Sequence, residues 1–114
     1  MLITVLKSKI HMATLTSTEF EYEGSIAVCP ALIKAAGLIP GEKVQVLTYE
    51  SGNRFETYVI EGKKGEISLK GPAAKLGTKG ERVILLSYAQ LTPEEAKSFK
   101  AKKVYVDSKN QIKN

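Results

Sequence analysis

A glycine–serine bond at the mouth of a strand can break itself, and residues 22–25 read Tyr-Glu-Gly-Ser ahead of the apolar run Ile26-Ala27-Val28. Gly24 has no Cβ, so a nucleophile can approach its carbonyl closely and the backbone can hold strained angles. Ser25 supplies a hydroxyl that becomes a useful nucleophile only when its geometry is fixed. Most Gly-Ser pairs are simply turns, so the weight comes from the company. Lys9 and His11 stand upstream, and Arg54, Thr57 and Tyr58 stand downstream. On a strand, Lys7, Lys9 and His11 share one face, as do Arg54, Glu56 and Tyr58, with Thr57 on the other side. A guanidinium grips a carboxylate through two parallel hydrogen bonds, an ammonium adds a point charge, and a phenol can give up a proton. Lysine, arginine and tyrosine on converging strands therefore suit a small anionic substrate. Taken singly, each has a plain structural reading. Lys9 is then a solvated edge residue, Arg54 flanks a turn, Tyr58 is a wall aromatic, and His11 is a hydrogen-bonded structural histidine. Glu94 and Glu95 read as helix caps and Cys29 as a small buried side chain.

The elements that must position these groups are short. Residues 2–6 and 13–16 read as two strands from their β-branched and apolar content, and residues 25–29 as a third. Pro30 at a first helical position and Gly37 at the end frame a short helix. Residues 43–49 and 54–60 alternate around a hairpin turn at Glu50-Ser51-Gly52-Asn53. Strand 66–69 follows a turn at 62–65. Residues 71–76 form a helical turn, 82–88 a buried strand, and Thr92-Pro93-Glu94-Glu95 a capping box opening a helix over 93–99. Residues 103–107 make a last strand, and the polar tail 108–114 is expected to fray. Many short strands with few helices indicate a small β-barrel. An internal echo, Gly41-Glu42-Lys43-Val44-Gln45-Val46-Leu47 against Gly80-Glu81-Arg82-Val83-Ile84-Leu85-Leu86, fits two related halves wrapping one barrel.

The 114 residues predict one domain with a small core, for which association into an oligomer is unsurprising. Seventeen basic and twelve acidic residues give a net charge of +5, compatible with nucleic acid, anionic small molecules or plain solubility. A single cysteine rules out an intrachain disulfide and a single histidine cannot build a zinc site, so no metal is expected. No Ser-His-Asp order, P-loop or dinucleotide fingerprint is present. With no signal-peptide layout and no apolar run of spanning length, a soluble cytoplasmic protein without membrane contact is expected.

Together the residues resemble the pyruvoyl-dependent aspartate 1-decarboxylase family, over about residues 1–106. Leu6-Lys7-Ser8-Lys9-Ile10-His11, Tyr22-Glu23-Gly24-Ser25, Ala35-Ala36-Gly37, Gly52-Asn53-Arg54-Phe55-Glu56-Thr57-Tyr58 and Gly71-Pro72-Ala73-Ala74 carry the resemblance. It implies a six-stranded double-psi β-barrel and a homotetramer of self-cleaved subunits. Each subunit would be cut between Gly24 and Ser25 into chains 1–24 and 25–114. Ser25 would become a covalent pyruvoyl group that forms a Schiff base with L-aspartate, releasing CO2 and β-alanine for pantothenate synthesis. Lys9 and Arg54 would hold the substrate carboxylates and Tyr58 would return the proton. Thr57 and Tyr22 would support processing or the site, His11 would line it, and backbone N–H groups of Gly71, Ala73 and Ala74 would serve substrate or oxyanion. The resemblance also admits a maturation partner. Two departures stand out. Lys70 occupies the family's usual asparagine position before the Gly-Ala-Ala-Ala turn, and Pro72 replaces an alanine and removes one N–H. In the family the asparagine helps self-processing, so the resemblance implies slower maturation where lysine replaces it.

Two other readings compete. Residues 24–44 also look like the swapped-hairpin DNA-binding regulators of the AbrB type, but that motif covers under a fifth of the chain and the basic residues form no stripe. An unprocessed, non-catalytic barrel paralogue is the other.

Overall fold

The long first strand frames the barrel. In a computed structural model that describes residues 1–113, β1 runs over Ile3–Thr14 instead of forming separate strands at 2–6 and 13–16. Its register against its antiparallel neighbour slips between Leu6 and Ser8 and again between Ile10 and Ala13. Met12, at φ 61°, absorbs the second slip, as bulges allow. Residues 7–11 alternate along β1: Ser8 and Ile10 are buried while Lys7, Lys9 and His11 remain partly exposed.

The chain continues through β2 (Ser17–Glu19), β3 (Ser25–Val28), α1 (Pro30–Ala36), β4 (Lys43–Thr48) and β5 (Arg54–Glu61). It then forms β6 (Ile67–Lys70), a 3-10 helix (Gly71–Leu76), β7 (Arg82–Leu91), α2 (Pro93–Ser98) and β8 (Lys102–Tyr105). The sheet order is β2-β6-β3-β5-β4-β7-β1-β8. Between β1 and β2, the Leu15 N–H donates to Glu81 O at 2.8 Å and the Thr16 N–H to Ile67 O at 2.7 Å. β1 and β2 thus act as one bent strand that bridges β7 and β6 and closes the sheet. The expected six barrel strands are present in this sense, and β8 adds a further strand parallel to β1.

The internal echo is structural. β4 and β7 pair antiparallel with Val46 opposite Leu85, which are matching positions of the repeated segment. Each copy enters its strand through a left-handed glycine, Gly41 at φ 94° and Gly80 at φ 91°. The bent β1–β2 strand pairs antiparallel with β7 and parallel with β6. In the same way, β5 pairs antiparallel with β4 and parallel with β3. Each half's opening strand is thereby inserted into the other half. Val44, Val46, Val83 and Leu85 from the repeats are buried with Ile26, Val59, Ile67 and Leu69 to form the core.

Helix ends follow their sequence signals. Gly37 closes α1 at φ 67°, and the Thr92–Glu95 capping box opens α2. The tail departs from expectation. Asn110 is buried, accepts from the Thr14 N–H at 2.7 Å, and donates to Thr14 O and Gly65 O, each at 2.9 Å. Val106 bridges Ile112. A polar residue that satisfies buried backbone groups is held as firmly as an apolar one, so residues 107–113 are ordered; Asn114 lies outside the described residues. Among the described residues, no helix is long and apolar enough to cross a membrane.

Candidate active site

Strand register places four functional side chains in a row. Ser25 begins β3 opposite Lys70 of β6, and Lys70 stands opposite Glu19 of β2. On the other flank the β3–β5 ladder begins with Ile26 opposite Val59, and Ser25 and Tyr58 are the residues that immediately precede that pair. Glu19, Lys70, Ser25 and Tyr58 therefore cross four strands on one outer face, each about 4.8 Å from the next. Ser25 is 0% exposed. Its Oγ lies 3.5 Å from Glu23 O, at the far limit for a hydroxyl hydrogen bond, so the hydroxyl is scarcely committed.

The segment before Ser25 is pressed against the start of the 3-10 helix. Gly71 adopts φ 69°, and a Cβ there would lie 2.5 Å from Tyr22 O, 2.7 Å from Gly24 N and 2.9 Å from Glu23 C. Only glycine permits this approach. A Cβ on Gly24 would meet Pro72 Cδ at 3.5 Å, and Ala73 and Ala74 are buried just behind. The Lys70 ammonium pairs with the Glu19 carboxylate, lies 3.9 Å from Glu66, and sits 4.8 Å from the Tyr22 ring centroid. Burial alone would raise the Glu66 carboxyl. The Ser68 hydroxyl and Lys63 N–H donating to it, with the Lys70 and Lys63 ammoniums, outweigh burial and hold it below its ordinary value.

The remaining site residues lie elsewhere on the surface. Arg54 Nη1 donates to Gln45 Oε1 at 2.9 Å, and the Tyr88 hydroxyl donates to the same oxygen at 2.7 Å. Tyr58 is 39% exposed. Lys9 stands opposite Leu86, which in turn stands opposite Gln45, itself opposite Glu56 of β5. Three strand spacings, about 14 Å, thus separate β1 from β5, and barrel curvature turns their outward side chains apart. The strands expected to converge do not bring Lys9 to Arg54 and Tyr58 within one chain. His11 lies opposite Tyr105 on β8, with ring centroids 5.7 Å apart in an edge-on arrangement. Its Nδ1 is buried without a hydrogen-bond partner among the described residues. Burial first, then Lys9 and Lys113, push its pKa below the ordinary 6.5, so the ring is neutral at pH 7.

Sequence reading missed Glu19, Glu66 and Gln45. The alternation Glu66-Ser68-Lys70 on one face of an otherwise apolar strand was a usable signal, as was Gln45 amid valines. Only strand pairing reveals that Glu19 meets Lys70.

The whole described chain has recognisable relatives. Residues 1–113 match the family model described as aspartate decarboxylase. A protein of Campylobacter hominis named aspartate 1-decarboxylase is 50% identical over 111 residues, covering 97% of each chain. One of the same name from Acetivibrio thermocellus is 49% identical over 116 residues, covering 100% of this chain and 92% of its own. Another, from Bdellovibrio bacteriovorus, is 48% identical over 110 residues, covering 96% and 89%. The shorter likeness of residues 24–44 to DNA-binding regulators is accounted for by the fold, since β3, α1 and β4 form part of one barrel half, echoed by β6, the 3-10 helix and β7.

Proposed function

The chain belongs to the aspartate decarboxylase family, and on that footing we propose that it converts L-aspartate to β-alanine and CO2, a step toward pantothenate, after cutting its own backbone between Gly24 and Ser25. The observation that carries this reading is the placement of a buried, barely committed Ser25 hydroxyl at the end of a segment that Gly71 admits at close range. Ser25 Oγ attacks the Gly24 carbonyl carbon, the Gly24–Ser25 C–N bond breaks, and the hydroxyl proton passes to the nitrogen, leaving an ester. Loss of the Ser25 α-proton then expels the Gly24 carboxylate. Water replaces the nitrogen of residue 25 with oxygen, releasing ammonia and leaving a pyruvoyl end on the longer chain. Thr57, next to Tyr58 on β5, would support processing by family resemblance, and the backbone around residues 71–74 would face the charge that develops at the Gly24 carbonyl.

The surroundings suit a pyruvoyl group in one respect: residue 25 and Tyr58 precede the first pair of the β3–β5 ladder, so a phenol able to give up a proton stands on the neighbouring strand. A pyruvoyl group at residue 25 would supply a conjugated ketone able to take the substrate amine and to accept the electron pair left behind when CO2 departs. The side chains do the rest. Arg54 binds a substrate carboxylate through its planar fork. Tyr58 returns the proton that replaces CO2 on the substrate carbon. Tyr22 covers the segment. Lys9, with neutral His11 beside it on β1, holds the second carboxylate. Because β1 and β5 lie about 14 Å apart, that lysine comes from a second copy of the chain, which supports a homo-oligomer, a tetramer by family resemblance.

Incubation of the purified protein with L-aspartate, followed by NMR, tests the reading. β-Alanine should accumulate with the wild-type chain and not with Ser25→Ala. Equal product from both would discard residue 25 as the reactive position.

A further inference from the structure

Lys70 is an unusual residue for its place. It is a long cation left only 8% exposed on a strand paired along both edges. An ordinary surface pair such as Lys43–Glu56, at 3.8 Å with both side chains well over half exposed, contributes little order because solvent screens it. The Lys70 ammonium instead has one carboxylate in contact, a second at 3.9 Å, and an aromatic face at 4.8 Å.

Its partners define what it does. The segment between β2 and β3, residues 20–24, lies outside both strand ladders and carries the scissile bond at its end. Lys70 meets that stretch at three places. Glu19, which ends β2 just before the segment, binds its ammonium. Tyr22, in the middle, presents its ring to the same charge. Ser25, just past the end, pairs with its backbone in the β3–β6 ladder. The next residue, Gly71, supplies the close backbone approach to Tyr22, Glu23 and Gly24.

We infer that Lys70 is a positioning residue for self-cleavage, its ammonium clamping Tyr22 and Glu19 so that the Gly24 carbonyl is held for attack by Ser25. The inference rests on the self-cleavage proposed above. It gives the lysine a role of its own: a charge gripping a ring and a carboxylate. A displacement near 1 Å is enough to slow an intramolecular attack severely, and a segment outside the ladders has few other restraints.

Denaturing mass spectrometry of freshly made precursor, sampled during incubation, reads the rate at which the two fragments appear. Lys70→Met keeps length and loses charge, and it should slow cleavage at least about tenfold. Lys70→Arg keeps the cation over Tyr22 and should recover most of the rate. Tyr22→Leu should slow cleavage comparably, Tyr22→Phe should restore it, and the Lys70→Met/Tyr22→Leu double variant should be no slower than either single. Circular dichroism melts establish that each variant is folded. If Lys70→Met does not fold, the Tyr22 pair decides alone. Wild-type cleavage rates in a folded Lys70→Met, equal rates for Tyr22→Leu and Tyr22→Phe, or multiplying effects in the double variant would overturn the clamp while leaving self-cleavage intact. A wild-type chain that never cleaves would remove both.

Discussion

The two sides of the barrel are built differently. Around β2, β6 and β3, Ser25 and Lys70 are nearly inaccessible, Gly71 fits against three backbone atoms, and one ammonium joins two strands and a loop. Across β5, β4, β7 and β1, Arg54 and Lys9 lie on an accessible surface where Gln45 is the one acceptor shared by Arg54 and Tyr88, and Tyr58 stands at its border on the strand next to Ser25. The first region has what an intramolecular reaction needs, since its geometry is fixed before any ligand arrives. The second has the residue types the proposed diacid substrate would need, with three strand spacings between β1 and β5. Under the proposed function, bond cleavage would be a property of the single folded chain, whereas substrate binding would wait for a second copy.

Variants can break this contrast or sharpen it. The largest effect is expected from Gly71→Ala. The left-handed backbone alone costs an alanine about 1–2 kcal/mol, and its Cβ would collide with the Tyr22–Gly24 backbone. Cleavage should fall by about a hundredfold or more, read as fragment formation; a normally cleaving variant would show that the close approach is idle. Tyr58→Phe comes next. It should cleave at the wild-type pace yet lose about a hundredfold in kcat, and a cleavage defect there would merge the two regions into one. A milder and more diagnostic outcome concerns the shared site. Lys9→Ala and Arg54→Ala chains, each inactive alone, should regain part of the activity when co-expressed, because some mixed sites carry both native residues. No recovery would place Lys9 and Arg54 in the same chain's site.

The smallest effect belongs to Glu66→Gln. The folded carboxyl is held below its ordinary value of 4.5. Its ionised form therefore adds stability that is complete above that value and lost as pH falls through the lower folded one. Melts at pH 7 should show the variant less stable by under about 1 kcal/mol, with the difference shrinking as pH falls below the ordinary value of 4.5. A difference that persists in acid would mean that packing, not charge, sets the effect.

Much of this was legible in the amino-acid sequence because local signals were strong. Pro30 and Gly37 bounded α1, Thr92 and Glu95 capped α2, and the repeated Gly-Glu-Lys/Arg-Val segments announced two barrel halves. The failures share one physical cause. The bulges that make β1 continuous, the Asn110 plug that orders the tail and the Glu19–Lys70 contact all depend on partners far away in sequence. Side-chain parity put Lys9 and His11 on one face and Arg54 and Tyr58 on another, but parity says nothing about how many strands lie between them.

The most direct test is the intact mass of the wild-type chain, purified without other proteins, denatured and measured before and after warm incubation. The account expects conversion into two fragments that divide between residues 24 and 25, with the longer one bearing a pyruvoyl end in place of its amino-terminal serine. A single species of 12.4 kDa that persists in the folded protein would contradict the claim that one chain holds everything its own cleavage requires.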